Sequence, residues 1–514
     1  MEKSKHSVEN AKLDGDDSAE ERAIGGFGGV PDGELSAGND VFAKLQRYVG
    51  SIGVEKRGIE RVPDTVEERT DTSMSKVGTV WLSSNMAVAC FGIGTIAQPV
   101  FGLGFVDSVL AILFFNILGV LPTSFFSTFG PVFGLRQLAL SRFYFGWYGV
   151  KLYAFFNVLT CLGWSTLQIV LGAQLFHAIN PKMPGWAGIL VIAFITILVG
   201  GFGYKIVHKC QQWSWIPIFI IYLIVLGMFA RSGEFDSLLP LDSGHAEAGR
   251  ILSFGSAIFG AATGLCVYAA DYTVYQPGSS PRVTVFFWSF SGLLLPLIFV
   301  ECLGSAIGTA TVRADSSFAQ AWMDAGVGGL LGNVLIPPLG NFGRFCLVLL
   351  ALGTIANNCP NVYSVSFGMQ VLSRRSARVP RLIWTLLGVF IAVGVGIPAY
   401  DKFAPYLQTF LVTTAYWLAI YEGIALTEHF VFRRGIKGYQ PDDYDTPSKL
   451  PVGLAAAVAF AFGVAGCVLG MTQEWWTGPI GELSGGDLGF PLAFGLAAVS
   501  YVVLRAVERS RFKR

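Results

Sequence analysis

Residues 152–181 read LYAFFNVLTCLGWSTLQIVLGAQLFHAINP, thirty positions without an Asp, Glu, Lys or Arg. About 20 apolar residues carry a helix across the hydrocarbon core of a bilayer, so this stretch predicts a transmembrane helix. Eleven further charge-free runs accompany it, at 77–106, 108–135, 183–204, 210–230, 251–270, 283–300, 345–373, 382–400, 403–421, 450–473 and 488–504. Barrel strands would alternate over roughly 10-residue segments, and these runs do not. The pattern predicts an all-α integral membrane protein of twelve transmembrane helices. A thirteenth run, 325–343, holds six Gly together with Pro337 and Pro338. Gly and Pro weaken a helix, so it reads as an irregular loop or a short re-entrant segment.

Composition excludes other classes. Of 514 residues, 53% are hydrophobic and 14% charged, where a soluble domain carries about 25% charge. That argues against a soluble enzyme, a nucleic-acid binder and a disordered scaffold. A net charge of +1 supplies no field for polyanions. Residues 1–76 hold 16 of the 35 acids and 11 of the 36 bases. Their acidic cluster (Asp14, Asp16, Asp17, Glu20, Glu21) and the stretch 25–40 suit a largely disordered cytosolic tail. Val41–Val49 suits a short amphipathic helix on the membrane. The tail reads as a solvated terminus or as a platform for trafficking machinery. No basic segment followed by an apolar one opens the chain, so no secretory signal peptide is expected. The domain reading is a tail at 1–76, a twelve-helix transporter at 77–508 and a short basic cytosolic end at 509–514.

Lys and Arg in short loops set orientation. With the N-terminus inside, 19 bases beyond residue 76 fall in inner segments and 6 in outer ones (Lys182, Arg231, Arg250, Arg313, Arg344, Lys402). Both termini are expected in the cytosol. The eight cysteines form no C-x-x-C, the five histidines no metal-ligand spacing, and no P-loop is present. No metal, no cofactor and no enzymatic reaction are expected.

Secondary transporters often place their site at broken helices in two related halves. The first run contains CFGIGT (90–95), with Cys90, Gly92 and Gly94. The sixth contains GSAIFGAATG (255–264), ending at Gly264 before Leu265. Five spans separate these segments, as an inverted 5+5 repeat requires. Unwound backbone there would offer N–H and C=O groups to a ligand; the alternative is close helix packing. Trp164 and Gln168 are four apart and share a helix face. An indole stacks on a flat ring, and an amide both donates and accepts. Asn357 and Asn361 also share a face, with Pro360 between them removing a backbone donor. Four acids lie in or near spans. Asp271 and Glu428 suit near-surface carboxylates with salt-bridge partners, Arg433 being close to Glu428. Glu301 and Glu422 lie deeper and need a partner or a proton. Glu301, Glu422 and Asp271 are the candidates for a proton relay.

Four motifs carry a resemblance: GPVFGLRQLALSRFYFG (130–146), YAADYTVYQP (268–277), ANNCPNVYSVS (356–366) and EHFVFRR (428–434). With them the chain resembles, over about residues 55–510, the nucleobase–cation symporter 1 family, specifically the fungal purine–cytosine permeases. The resemblance implies a twelve-helix fold of the leucine-transporter type, with helices 1–5 and 6–10 as the inverted repeat and two peripheral helices. It implies multi-pass proton symporters of the plasma membrane that carry cytosine, adenine, guanine or hypoxanthine. Trp164 then matches the family's stacking tryptophan, and Asn357, Pro360 and Asn361 its substrate-contact region. Three positions depart. Gln168 stands where fungal cytosine permeases have Asn, Leu265 where the family commonly has a second stacking Trp, and Cys90 near an expected serine.

These departures make the site roomier and less polar, so a related heterocycle stays open beside a nucleobase: a vitamin such as pyridoxine, a nucleoside or a secondary-metabolite precursor. Sodium-coupled relatives supply hydroxyls just before the first helix-8 asparagine. Ile355 and Ala356 stand there, with Thr354 slightly earlier, which predicts proton coupling. The functional expectation is alternating-access uptake of a flat heterocycle stacked on Trp164. Its edge would bond Gln168, Asn361 and backbone near Gly92 and Gly264. A channel would need a polar filter ring, and a nutrient sensor would bind without uptake.

Overall fold

The structure is a computed structural model. It describes residues 60–514 apart from 66, 70, 72, 202–203, 238–243, 374–375 and 377–378, with backbone alone at 200–201, 204–212 and 381. The acidic cluster, the 25–40 stretch, Val41–Val49, and Arg374, Arg375 and Arg378 lie outside the described residues, as do the side chains of Lys205, Lys209, Cys210 and Arg381.

Fourteen long helical pieces build the molecule: α1 Ser75–Asn85, α2 Val88–Thr95, α3 Phe105–Ser127, α4 Arg142–Ile179, α5 Gly185–Gly201, α6 Tyr204–Ser232, α7 His245–Thr263, α8 Arg282–Gly308, α9 Ser317–Leu339, α10 Asn341–Leu372, α11 Arg381–Asp401, α12 Phe403–Thr427, α13 Leu454–Gly470 and α14 Gly489–Phe512. Among the described residues, nine helices are long and apolar enough to cross a membrane, and α1 with α2 forms a tenth, bent by 53°. Two shorter apolar helices, Gly185–Val199 and Leu454–Gly470, occupy the remaining two of the twelve runs. Apolar side chains such as Phe114, Phe390 and Val503 point outward, where a soluble protein would put charge. The lipid-facing belt therefore needs no polar cover. One continuous apolar core runs through the bundle from Val77 to Tyr501.

The thirteenth run is helical, which corrects the loop expectation. α9 runs through 325–339 and interrupts its helix at Ala325 and Gly326, the latter at φ +51°. Pro337 and Pro338 fall in its last turn, just before Gly340, so they end the helix instead of preventing it.

Span 1 breaks at Met86 and Ala87, where Ala87 is extended. Gly92 and Gly94, expected to unwind the chain, lie inside the helical α2. Gly94 is there for contact: a Cβ would overlap the backbone carbonyl of Glu301 on α8. Span 6 does change where a glycine allows it. α7 stops at Thr263, Gly264 and Leu265 intervene, and Cys266–Tyr272 continue as a 3-10 helix. Mid-span 3-10 geometry often marks a hinge or functional turn.

The peripheral pair α13 and α14 packs on α12. A buried ionic cluster fixes it. Glu428 accepts from Arg433 at 3.1 Å, Arg505 at 3.1 Å and the Tyr501 hydroxyl at 3.0 Å. Glu508 accepts from Arg505 and from the Leu454 amide at 3.0 Å, so it caps α13. Glu428 is thus fully paired, as its neighbour Arg433 led one to expect. α14 extends to Phe512, so the short C-terminal tail is largely helix, and Arg514 donates to the Ser448 carbonyl at 3.2 Å.

Candidate functional site

One pocket opens where the two broken spans meet α4 and α10. The break in span 1 supplies Ser84, Asn85 and Ala87, and α2 adds Ala89, Cys90 and Ile93. Trp164 and Gln168 reach it from α4, and Asn357, Pro360 and Asn361 from α10. Ala261, Leu265, Tyr268 and Tyr272 come from span 6, and Leu297 from α8. Seven sequence-selected residues are therefore brought together: Cys90, Trp164, Gln168, Leu265, Asn357, Pro360 and Asn361. Gly264 lies against the wall, since a Cβ there would sit 3.3 Å from Trp164 Nε1. Gly92 is not on the lining. Its carbonyl accepts from the Thr95 hydroxyl at 2.7 Å, and a Cβ would press on Val327 at 3.1 Å. It packs α2 and offers no open backbone.

The polar atoms divide into those holding the fold and those left over. Asn357 Nδ2 donates to the Ser84 carbonyl at 3.0 Å. The last turn of a helix leaves its carbonyls without intrahelical partners, so Asn357 ties α10 to the end of α1. Asn361 Nδ2 donates to the Asn357 carbonyl at 3.3 Å. Trp164 packs edge-on against Phe410, with centroids 5.3 Å apart. Its Nε1 is buried without a hydrogen-bond partner, and so is Gln168 Oε1. A buried unmade hydrogen bond costs about 1–3 kcal/mol. Gln168 Oε1, one helix turn from the indole, is placed to bond the edge of a flat ring lying against Trp164.

Sequence reading missed Ser84, Asn85, Tyr268, Tyr272 and Leu297. Tyr268 and Tyr272 stood in plain view in YAADYTVYQP. Tyr272 lies 4.5 Å from the Trp81 ring and 6.1 Å from Tyr268, so a small aromatic stack borders the pocket beyond Leu265. The signal was two tyrosines four apart immediately after a helix break.

The acids fall in three settings. Asp271 accepts from the Gln137 amide at 2.7 Å and pairs with Arg136 at 3.9 Å, near one end of the bundle. Glu422 is fully buried and accepts from Thr263, the last residue of α7. Glu301 is fully buried and accepts from Asn116 at 2.6 Å. At the Asp271 end, Arg61, Val62 and Arg69 bond to the bundle, within the stretch 1–76 that was expected to be a largely disordered tail. Val62 donates to Gly134 at 2.8 Å. Arg69, almost wholly buried, donates to the carbonyls of Pro131, Val274 and Gln276. Burial pushes the Arg69 guanidinium below its ordinary value, and Asp64 opposes this. Among the described residues no group of three His, Cys, Asp or Glu is placed to hold a metal.

Residues 62–495 match the family model for permeases of cytosine/purines, uracil, thiamine and allantoin. The chain belongs to this permease family. It is a membrane transporter, not an enzyme. It is 50% identical over 488 residues to the purine–cytosine permease fcyB of Emericella nidulans, covering 95% of each chain. It is 40% identical over 476 residues to the purine–cytosine permease FCY21 of Saccharomyces cerevisiae, covering 91% of this chain and 89% of that one. The fold is similar to that of Mhp1, a nucleobase–cation-symport-1 family transporter solved closed with bromovinylhydantoin bound. The TM-score is 0.65 and the identity 16%, over 88% of this chain and 96% of Mhp1. In this permease family context the pocket sits at two helix breaks facing one another, and α4 and α10 complete it.

Proposed function

We propose that this permease takes up a purine or pyrimidine nucleobase, or a closely related flat heterocycle, across the plasma membrane together with a proton. The observation that carries the reading is the Trp164 indole lining the pocket one turn from Gln168, whose Oε1 has no partner among the described residues, beside Asn357 and Asn361. A neutral ring stacks on an indole and gains from donors and acceptors at its edge. No formal charge lines the pocket, which suits an uncharged substrate. Cytosine, adenine, guanine and hypoxanthine are the leading substrates.

In the transport cycle the ring enters from outside and stacks on Trp164, while Gln168 and Asn361 read its edge. The two five-helix repeats then rock about the breaks in spans 1 and 6. Both termini lie in the cytosol, and the N-terminal tail is open to trafficking machinery. Proton over sodium coupling is supported by the missing side-chain oxygens at Ile355 and Ala356, which follow Thr354. Leu265 favours a second substrate class, since it puts an aliphatic side chain on the pocket where the resemblance implies a stacking Trp.

The test is uptake in a fungal strain lacking its own base permeases. Radiolabelled bases, nucleosides and pyridoxine are offered at two pH values, with and without a protonophore or sodium. Saturable uptake of one heterocycle, raised at low pH and abolished by the protonophore, is expected. Uptake that needs sodium and ignores the protonophore contradicts the coupling. Binding without uptake contradicts transport and points to a sensor.

A further inference from the structure

Of five buried carboxyl groups among the described residues, Glu428 and Glu508 pair with Arg505, Asp487 accepts from Tyr416 and from the Thr472 and Gly489 amides, and Glu301 and Glu422 have no cation bonded to them, in surroundings that differ. Glu422 is well supplied: the Thr263 hydroxyl donates to it, and neither of its oxygens is a buried atom left without a partner. Glu301 on α8 is not. Its Oε2 accepts from Asn116 Nδ2 on α3 at 2.6 Å, while its Oε1 has no partner among the described residues. Asn116 gives its other amide proton to the Ile112 carbonyl at 2.8 Å, and its Oδ1 also lacks a partner. An amide and a carboxylate share one hydrogen bond, whereas an amide and a carboxylic acid close two. A proton on Oε1 would make Glu301 a donor, and the residue it already bonds, Asn116, carries an acceptor left without a partner among the described residues.

Among the described residues no cationic side chain bonds to Glu301. From α3 it meets the neutral Asn116, from α2 the Cys90 thiol is within electrostatic range, and on α8 itself there is Cys302. A lone carboxylate in such surroundings is far costlier than its neutral acid.

The pair also touches the pocket wall. Leu297, one turn earlier on the same face of α8, lines the pocket, and so does Cys90. Gly94 of α2 rests directly on the Glu301 backbone carbonyl. α2 therefore contacts both the substrate space and the residue that bears the acid.

We propose that Glu301, held by Asn116, carries the coupled proton. The inference rests on the transport reading above. The proton moves from outer water to Oε1 as the pocket loads and leaves to inner water after closure; no other bond forms or breaks. Loading and protonation favour the same seat for α2, and linkage makes each strengthen the other equally.

The test compares the unaltered permease with Glu301→Gln, Glu301→Asp and Glu422→Gln in the same strain. Glu301→Gln should still exchange labelled for unlabelled substrate, but accumulation driven by a pH gradient should fall roughly tenfold, the scale of an ordinary coupling. Its substrate binding should no longer change with pH. Glu301→Asp should restore part of the pH response, and Glu422→Gln should keep it. Glu301 is overturned if Glu301→Gln, present in the membrane, still accumulates with pH, or loses exchange and binding together. Should that variant not reach the membrane, Asn116→Ser decides: a moved pH midpoint of uptake supports the pair, and an unmoved one overturns it. If the unaltered protein accumulates with pH while Glu301→Gln does too, the transport reading stands and only Glu301 falls. If the unaltered protein ignores pH, proton coupling falls and Glu301 with it.

Discussion

Trp164 meets the pocket with an indole, and Leu265 meets it with no ring at all. Side-chain identity at these two positions sets what the pocket holds. Base–aromatic stacking is worth about 1–3 kcal/mol per base by truncation. Leu265→Trp should therefore tighten cytosine binding by roughly tenfold, read as competition against labelled substrate. An unchanged substrate profile would mean that Leu265 does not touch the ligand. Much of this was legible residue by residue. Trp164, Gln168, Asn357 and Asn361 were visible because polar groups in a charge-free run need a reason. Asn116 obeyed the same rule inside 108–135, yet a lone amide gives no pattern until its partner is known. Tyr268 fell at the end of the run 251–270 and Tyr272 just beyond it, so neither was read as facing a pocket.

Glycine misled the reading of elements in a consistent way. CFGIGT was expected to unwind, and the structure instead breaks at Met86 and Ala87. The glycines serve close approach. Gly94 lies on the Glu301 carbonyl, and Gly304 of α8 lies on the Phe91 carbonyl of α2, so the two helices are seated on each other from both sides. Small residues at helix contacts do this in membranes, and a sequence alone does not say whether a glycine unwinds a helix or lets a neighbour in. In α9 the same ambiguity turned a helix into an expected loop. Gly328 there lies against the backbone of Gln174, again as a contact. Gly94→Ala would put a Cβ onto a carbonyl that belongs to a rigid helix. Overpacking of this kind costs about 1–3 kcal/mol, so the thermal midpoint of the solubilised protein should drop and uptake should fall. An unaltered midpoint would show that α2 and α8 have room to separate.

At the scale of the molecule, the scarcity of charge is sorted rather than uniform. Paired charges gather at the ends of the helices, as in Glu428 with Arg433 and Arg505, or Arg142 with Asp445 at 2.8 Å. Breaking a buried pair is costly, and Glu428–Arg505 and Arg142–Asp445 join elements that are far apart in sequence. That explains why the places of the apolar helices were readable from the charge-free runs while the packing of α13 and α14, or the anchoring of Arg61, Val62 and Arg69 to the bundle, was not. Between the ends only neutral chemistry faces the pocket, and the central claim is that this chemistry binds a flat heterocycle for transport. The most direct measurement is a structure of the protein frozen with the heterocycle selected by the uptake screen. The ring should lie against Trp164 with its edge on Gln168 and Asn361, between the breaks in spans 1 and 6. A ring bound elsewhere, with this pocket unchanged, would contradict the account.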